Sequence, residues 1–152
     1  MFTFLLVDDE KELIETIAQR LHQRGFGVDC AFSGMDALNR LEKGGAIDVV
    51  VLDVKMPDLD GIKLVEIIKE KHPLIEVVMM TGHATIDSAI EAMKFGAFDY
   101  LTKPCDLDDL IAKATKAIAR KKEREAEILS LRMKPYISDR EREERIARIL
   151  EK

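Results

Sequence analysis

The chain has 152 residues, 47% apolar and 35% charged, with a net charge of −5; that allows one domain with a real core and a modest extension and gives no general electrostatic reason to expect nucleic-acid binding. No apolar stretch approaches the roughly 18–20 residues needed to span a bilayer, and the start, Met1-Phe2-Thr3, lacks the basic region of a signal peptide. Cys30 and Cys105 form no CxxC pair, so the expectation is two free thiols in a reducing, cytoplasmic setting.

Short apolar runs alternate with amphipathic segments along the chain. "TFLLV" (3–7) reads as a strand, and Leu13, Ile14, Ile17 and Leu21 then recur at helical spacing until Gly25. "FGVDCA" (26–31) reads as a second strand, and Ser33-Gly34 opens a short helix closed by Gly44-Gly45. "IDVVVLD" (47–53) is a β-branched apolar run ending in an acid, followed by the loop "VKMPDLDG" (54–61). Asp60 is placed to cap a helix carrying Ile62, Leu64, Val65 and Ile68, which Pro73 ends. "LIEVVMM" (74–80) reads as the fourth strand, "TGHAT" (81–85) as a loop, and Ile86, Ala89, Ile90 and Met93 as a fourth helix stopping near Gly96. "AFDYL" (97–101) is a fifth strand, "TKPC" turns the chain, and Asp106 is placed to cap a helix that can run over 106–132.

Five strands alternating with five helices predict an α/β fold: a doubly wound, five-stranded parallel sheet covered on both faces. Residues 1–119 carry 13 basic against 21 acidic side chains, and residues 120–152 carry 11 against 8. The chain therefore divides into an acidic domain over 1–119 and a charged helical extension over 120–152. The extension can continue the fifth helix, breaks near Pro135, and ends in a helix over 139–151 with Ser138 and Glu141 as a capping box. The sequence leaves open whether the extension dimerises, docks a partner or packs back.

In such sheets a site forms beyond the carboxyl ends of the strands. Asp8 and Asp9 end the first strand, Asp53 the third and Thr81 the fourth, and Lys103 follows the fifth. Neither GxxxxGK[ST] nor GxGxxG is present to cradle a nucleotide. Clustered carboxylates are costly unless a cation neutralises them. Oxygen ligands without His or Cys favour Mg²⁺, which keeps waters and recruits phosphate oxygens. A neighbouring carboxylate can then attack phosphorus, with the metal and Lys103 offsetting charge on the phosphoryl oxygens.

The blocks "LLVDDE", "DVVVLDVKMPDLDG", "VVMMTGHA" and "GAFDYLTKP" resemble those of the response-regulator receiver domain of two-component signalling. The likeness covers residues 4 to about 119, and "TGHATIDSAIEAMKFGAFDYLTKP" resembles receivers of the nitrogen-regulatory, σ54-activator type. The resemblance implies a flavodoxin-like strand order, 2-1-3-4-5. It makes Asp53 the phospho-acceptor for a histidine kinase or phosphotransfer protein, in a Mg²⁺-dependent reaction. It makes Asp8 and Asp9 metal-binding acids, and Lys55 a metal ligand through its main-chain carbonyl. Lys103 would pair with the phosphoryl oxygens, Thr81 would move to them, and Tyr100 would report that movement. Pro104 would follow a cis peptide. His83 falls where such domains tune the lifetime of the phosphoryl group, and Cys105 departs from the aromatic that often follows Lys-Pro.

The resulting expectation is a signalling switch with self-dephosphorylation, not a metabolic enzyme. Its output would pass to a downstream protein or a second copy through the fourth helix, fifth strand and fifth helix, with no direct nucleic acid and no membrane. The fourth helix is too apolar for one core-facing stripe, so Ile86 or Ile90 is expected to be partly exposed. Glu10 reads as a first-turn acid favoured by the helix dipole, with a water-mediated metal role as the alternative. Two other readings stay open: the receiver portion of a larger transcriptional activator, and an Asp-nucleophile phosphohydrolase. The latter class usually wants a second acid two residues after the nucleophile, where this chain has Lys55.

Overall fold

The structure is a computed structural model that describes residues 1–82 and 86–151. Its elements are β1 (Thr3–Val7), α1 (Lys11–Gln23), β2 (Gly27–Ala31), α2 (Gly34–Glu42), β3 (Val49–Asp53), α3 (Gly61–Lys71), β4 (Glu76–Thr81), α4 (Ile86–Lys94), β5 (Asp99–Thr102), α5 (Leu107–Arg132) and α6 (Asp139–Glu151). The strands form one parallel sheet in the order β2-β1-β3-β4-β5. The doubly wound sheet and its strand order therefore agree with the sequence reading; β1 spans the residues read for it, β2 to β5 begin one or two residues later, and β4 and β5 run one residue further.

The period-two alternation of β3 shows why the strand must be central. Val50 and Leu52 face one core layer with Leu64, Val65 and Ile68 of α3. Val49 and Val51 face the other, with Ile14 of α1 and Leu110 and Ala114 of α5. All five residues of β3 are buried, each large one contributing about 1.5–3 kcal/mol. That burial helps to offset the cost of holding charged groups at the strand's end.

Local capping follows the sequence in part. Ser33 accepts from the Asp36 amide at 3.1 Å and Asp60 from that of Ile62 at 2.9 Å. Asp106 stands at the N-cap of α5 but its side chain makes no capping bond. Ser138 accepts from the Glu141 amide at 3.1 Å. Gly61 is required sterically: a Cβ there would lie 2.6 Å from the Val54 carbonyl oxygen.

The helix α5 continues unbroken past residue 120 because its basic residues find acids at the amino edge of the sheet. Glu76, only 1% exposed, lies 3.0 Å from Lys69 Nζ, 3.3 Å from Arg120 Nε and 3.7 Å from Arg124 Nη1. Asp48 accepts from Lys121 Nζ at 2.6 Å and from the Thr3 amide at 2.9 Å. Beyond the turn at Pro135, α6 folds back, and Ile146 packs with Ile128 and Leu131 of α5 and with Leu74. Arg142 fixes that turn by donating to the carbonyls of Leu131 and Lys134. His72, the C-cap residue of α3, is half-buried beside this hairpin, its Nε2 shielded from solvent. His22 is exposed.

Candidate functional site

Register explains why two distant acids meet. Val7 pairs with Leu52 across β1 and β3, so Asp8 and Asp53, each one residue further on, emerge side by side. Neighbouring strands lie about 4.8 Å apart, close enough for two carboxylates to face one ion. Asp8 is fully buried and Asp53 is 8% exposed. Asp8 Oδ1 accepts from the Glu10 amide at 3.0 Å, which fixes the carboxylate's orientation.

Lys103 enters from the far end of the sheet. Its amide donates to the Thr81 carbonyl at 2.7 Å, locking the end of β4 to the segment after β5. The Lys103–Pro104 peptide is cis, as the resemblance implies. The Lys103 ammonium donates to Asp8 Oδ2 at 2.7 Å, Glu10 Oε1 at 3.3 Å and Asp53 Oδ2 at 3.3 Å. One cation thus serves three carboxylates and leaves an excess of negative charge.

The electrostatics reflect that imbalance. Burial raises the Asp8 carboxyl above its usual range, and the Asp53 charge adds to this, while the Lys103 hydrogen bond and the Glu10 amide oppose it. For Lys103, burial works against the ammonium, but its hydrogen bond to Asp8 and the charges of Asp8 and Asp53 outweigh burial and raise its pKa.

Asp8, Glu10 and Asp53 each offer an oxygen, and these oxygens lie within 4.8 Å of one another. An all-oxygen, anionic donor set of this kind suits a hard divalent cation. Glu10, not Asp9, is the third carboxylate of this group. Asp9 is exposed and faces a depression of about 650 Å³ shared with Lys55, Met56 and Asp58. The sequence signal for this is weak, because the strand ends at Val7 and an acid at residue 10 suits a helix start as well.

Thr81 ends β4 fully buried, one residue past the Met80 that pairs with Asp53. Its hydroxyl lies 3.3 Å from the Gly82 carbonyl, to which it donates. Tyr100 lies on β5 opposite Met79 and packs, half-buried, against the core layer that α4 covers. The Lys55 amide lies 3.5 Å from Asp53 Oδ1. Cys105 is half-buried with its thiol 3.5 Å from the Met80 sulfur. His83 lies outside the described residues.

On α4, Ile90 is 45% exposed, and Met93 and Phe95 of the same segment are also exposed. Ile86 is half-buried. The expected partial exposure of this helix is therefore present. Among the described residues, no helix is long and apolar enough to cross a membrane.

Comparison with known proteins gives the arrangement a context. Residues 4–115 match the response regulator receiver domain family. The DNA-binding transcriptional regulator NtrC of Klebsiella pneumoniae is 35% identical over 120 residues, covering 79% of this chain and 25% of that protein. A putative NtrX-like response regulator of Rickettsia conorii is 38% identical over 115 residues, covering 74% of this chain and 24% of its own. The chain thus spans about a quarter of the length of these curated relatives. A receiver domain protein from Clostridium thermocellum superposes with a TM-score of 0.76 at 39% identity, covering 80% of this chain and 98% of that structure.

Proposed function

The chain belongs to the response regulator receiver domain family, and from that premise we propose that it is a two-component switch that takes a phosphoryl group on Asp53 from a histidine kinase or phosphotransfer protein. The observation that carries this reading is the meeting of Asp8, Glu10 and Asp53 around one ammonium, Lys103. An Asp53 carboxylate oxygen attacks phosphorus, an O–P bond forms, and the P–N bond to the donor imidazole breaks. Asp8 and Asp53, with the Lys55 main-chain carbonyl and with Asp9 from the adjoining depression that it lines together with Lys55, would hold Mg²⁺, leaving Glu10 to Lys103. When bound, the ion screens the negative charge of acceptor and phosphoryl oxygens as they approach. Lys103 stays protonated and follows the phosphoryl oxygens, exchanging part of its contact with Asp53 for them.

The phosphorylated Asp53 carries added charge and strong acceptor oxygens. Thr81 donates to them, drawing the end of β4 and its loop inward. Tyr100 follows into the vacated space, and the change reaches the face made by α4, β5 and α5 as a population shift. The exposed Ile90, Met93 and Phe95 suit this face to a downstream protein or a second copy. Attack of water on phosphorus breaks the Asp53 O–P bond and returns the switch to its resting state, releasing inorganic phosphate. We read residues 1–119 as the receiver and 120–152 as an appended hairpin that continues α5.

Incubation with acetyl phosphate and Mg²⁺, followed by intact mass, tests the reading. The expected result is one labile phosphoryl group, missing in Asp53→Ala and in chelator. A protein left unmodified by several donors, or labelled equally in Asp53→Ala, overturns it.

A further inference from the structure

The loop between β3 and α3 carries Lys55 and closes on itself through the Gly61 amide, which donates to the Val54 carbonyl at 2.9 Å. Within it, Lys55, Pro57, Asp58 and Asp60 are all exposed. A loop with so little burial is held by specific ties or moves freely.

One such tie is the Asp58 side chain. Its Oδ1 accepts from the Gly34 amide at 3.0 Å and its Oδ2 from the Met35 amide at 3.1 Å. These amides belong to the first turn of α2, which has no intrahelical acceptors. The helix already has its own cap, since Ser33 serves the Asp36 amide through its hydroxyl and the Ala37 amide through its carbonyl. Asp58 supplies the two acceptors that Ser33 does not. Leu59 seals the junction: a Cβ on Gly34 would lie 2.9 Å from the Leu59 Cβ. The two amides also hold the Asp58 carboxyl below its usual range, so it is ionised at neutral pH.

We propose that Asp58 is a positioning residue that bolts the β3–α3 loop to the amino end of α2 and so fixes the backbone of Lys55, main-chain carbonyl included, whose amide lies 3.5 Å from Asp53 Oδ1. The role of that carbonyl rests on the function proposed above; the tie itself does not. Asp58 touches neither metal nor phosphorus. It acts through the loop, by removing the freedom that Lys55 would otherwise lose on binding a cation.

Ser33→Ala is the control, because it uncaps the same helix end without releasing the loop. Mg²⁺ titration by calorimetry on the full chain should show Asp58→Ala weakened on the order of 10-fold, the low end for residues that orient a metal ligand. Ser33→Ala should stay within about twofold of the parent, and Asp58→Asn, which keeps one acceptor oxygen, should fall between. Deuterium exchange of the 54–60 segment, read without metal, should be faster in Asp58→Ala than in Ser33→Ala. Equal exchange and equal Mg²⁺ affinity in these two variants overturn the inference. A parent protein that binds no Mg²⁺ while Asp58→Ala still loosens the loop overturns the functional reading and leaves the tie standing.

Discussion

The ammonium of Lys103, a side chain 19% exposed, donates at 2.7 Å to the fully buried carboxylate of Asp8, joining the two ends of a receiver whose chain separates them by almost its whole length. The pair neutralises only one of the three negative charges gathered there. Lys103→Met removes that cation and leaves Asp8 buried beside Asp53 and Glu10. Losing one partner of a fully buried pair costs roughly 3–5 kcal/mol; with part of Lys103 in solvent, about 2 kcal/mol is expected. Urea denaturation in chelator should show this loss, and saturating Mg²⁺ should shrink it by supplying positive charge. A Lys103→Met protein as stable as the parent in chelator would show that the carboxylates are already screened by solvent.

Acidification should weaken Mg²⁺ binding earlier than an ordinary aspartate would allow. A proton on Asp8 competes directly with the ion. Burial raises the Asp8 pKa above 3.8, so protonation begins at a higher pH than in the unfolded chain. The sign for folding without metal is opposite. A raised acid pKa means that the folded state binds this proton more tightly, so Asp8 contributes stability as pH falls through its folded value towards 3.8. Calorimetric Mg²⁺ titrations at descending pH, with Asp8→Asn for comparison, check this. The parent's affinity should fall with pH more steeply than the variant's, and parallel slopes would remove Asp8 as the competing group.

Much of this site is legible in the sequence because strand ends are. A buried parallel strand shows as an unbroken apolar run, and Val7 and Leu52 each hand the chain to an acid at one edge of the sheet. Glu10 is harder to read, since a helix start and a continued extended segment both accept an acid there. Only its backbone, at φ −80 and ψ 85, decides that it faces Lys103. Asp58 is harder still, because its partners lie on α2 and no local spacing announces the contact. The charged run at 120–124 carries no local sign of burial, yet Arg124 is 5% exposed. Its burial depends on Glu76, an acid inside the apolar run that forms β4.

Glu76→Gln should therefore loosen the carboxy-terminal hairpin from the far side of the sheet. The change leaves Lys69, Arg120 and Arg124 facing one another without their shared anion. Lys69 is already disfavoured as a cation by burial, with Glu76 opposing that effect. The expected loss is on the order of 3 kcal/mol, measured by urea denaturation. Exchange of amides at 120–132 should rise, while acetyl phosphate should label Asp53 at the parent's rate. Unchanged protection in 120–132 would mean that Lys121–Asp48, at 2.6 Å, and the Ile128–Ile146 packing hold the helix without Glu76.

Ile90→Ser separates signalling from folding. Nearly half of Ile90 is already exposed, and substitutions at such positions usually change stability by no more than about 0.5 kcal/mol. The proposed acceptor Asp53 lies at the carboxyl end of β3, away from Ile90 on α4, so the rate of phosphoryl uptake should be unaltered. An apolar side chain central to a protein interface is worth about 1.4 kcal/mol or more, or roughly tenfold in affinity. Self-association of the beryllofluoride-treated protein, followed by sedimentation, should weaken by that factor if a second copy is the partner. If the parent stays monomeric, the same variant goes into a binding assay with the downstream protein. Parent and Ile90→Ser behaving alike in both assays would remove α4 from the output face, and slowed phosphorylation would place Ile90 in the coupling from Thr81 instead.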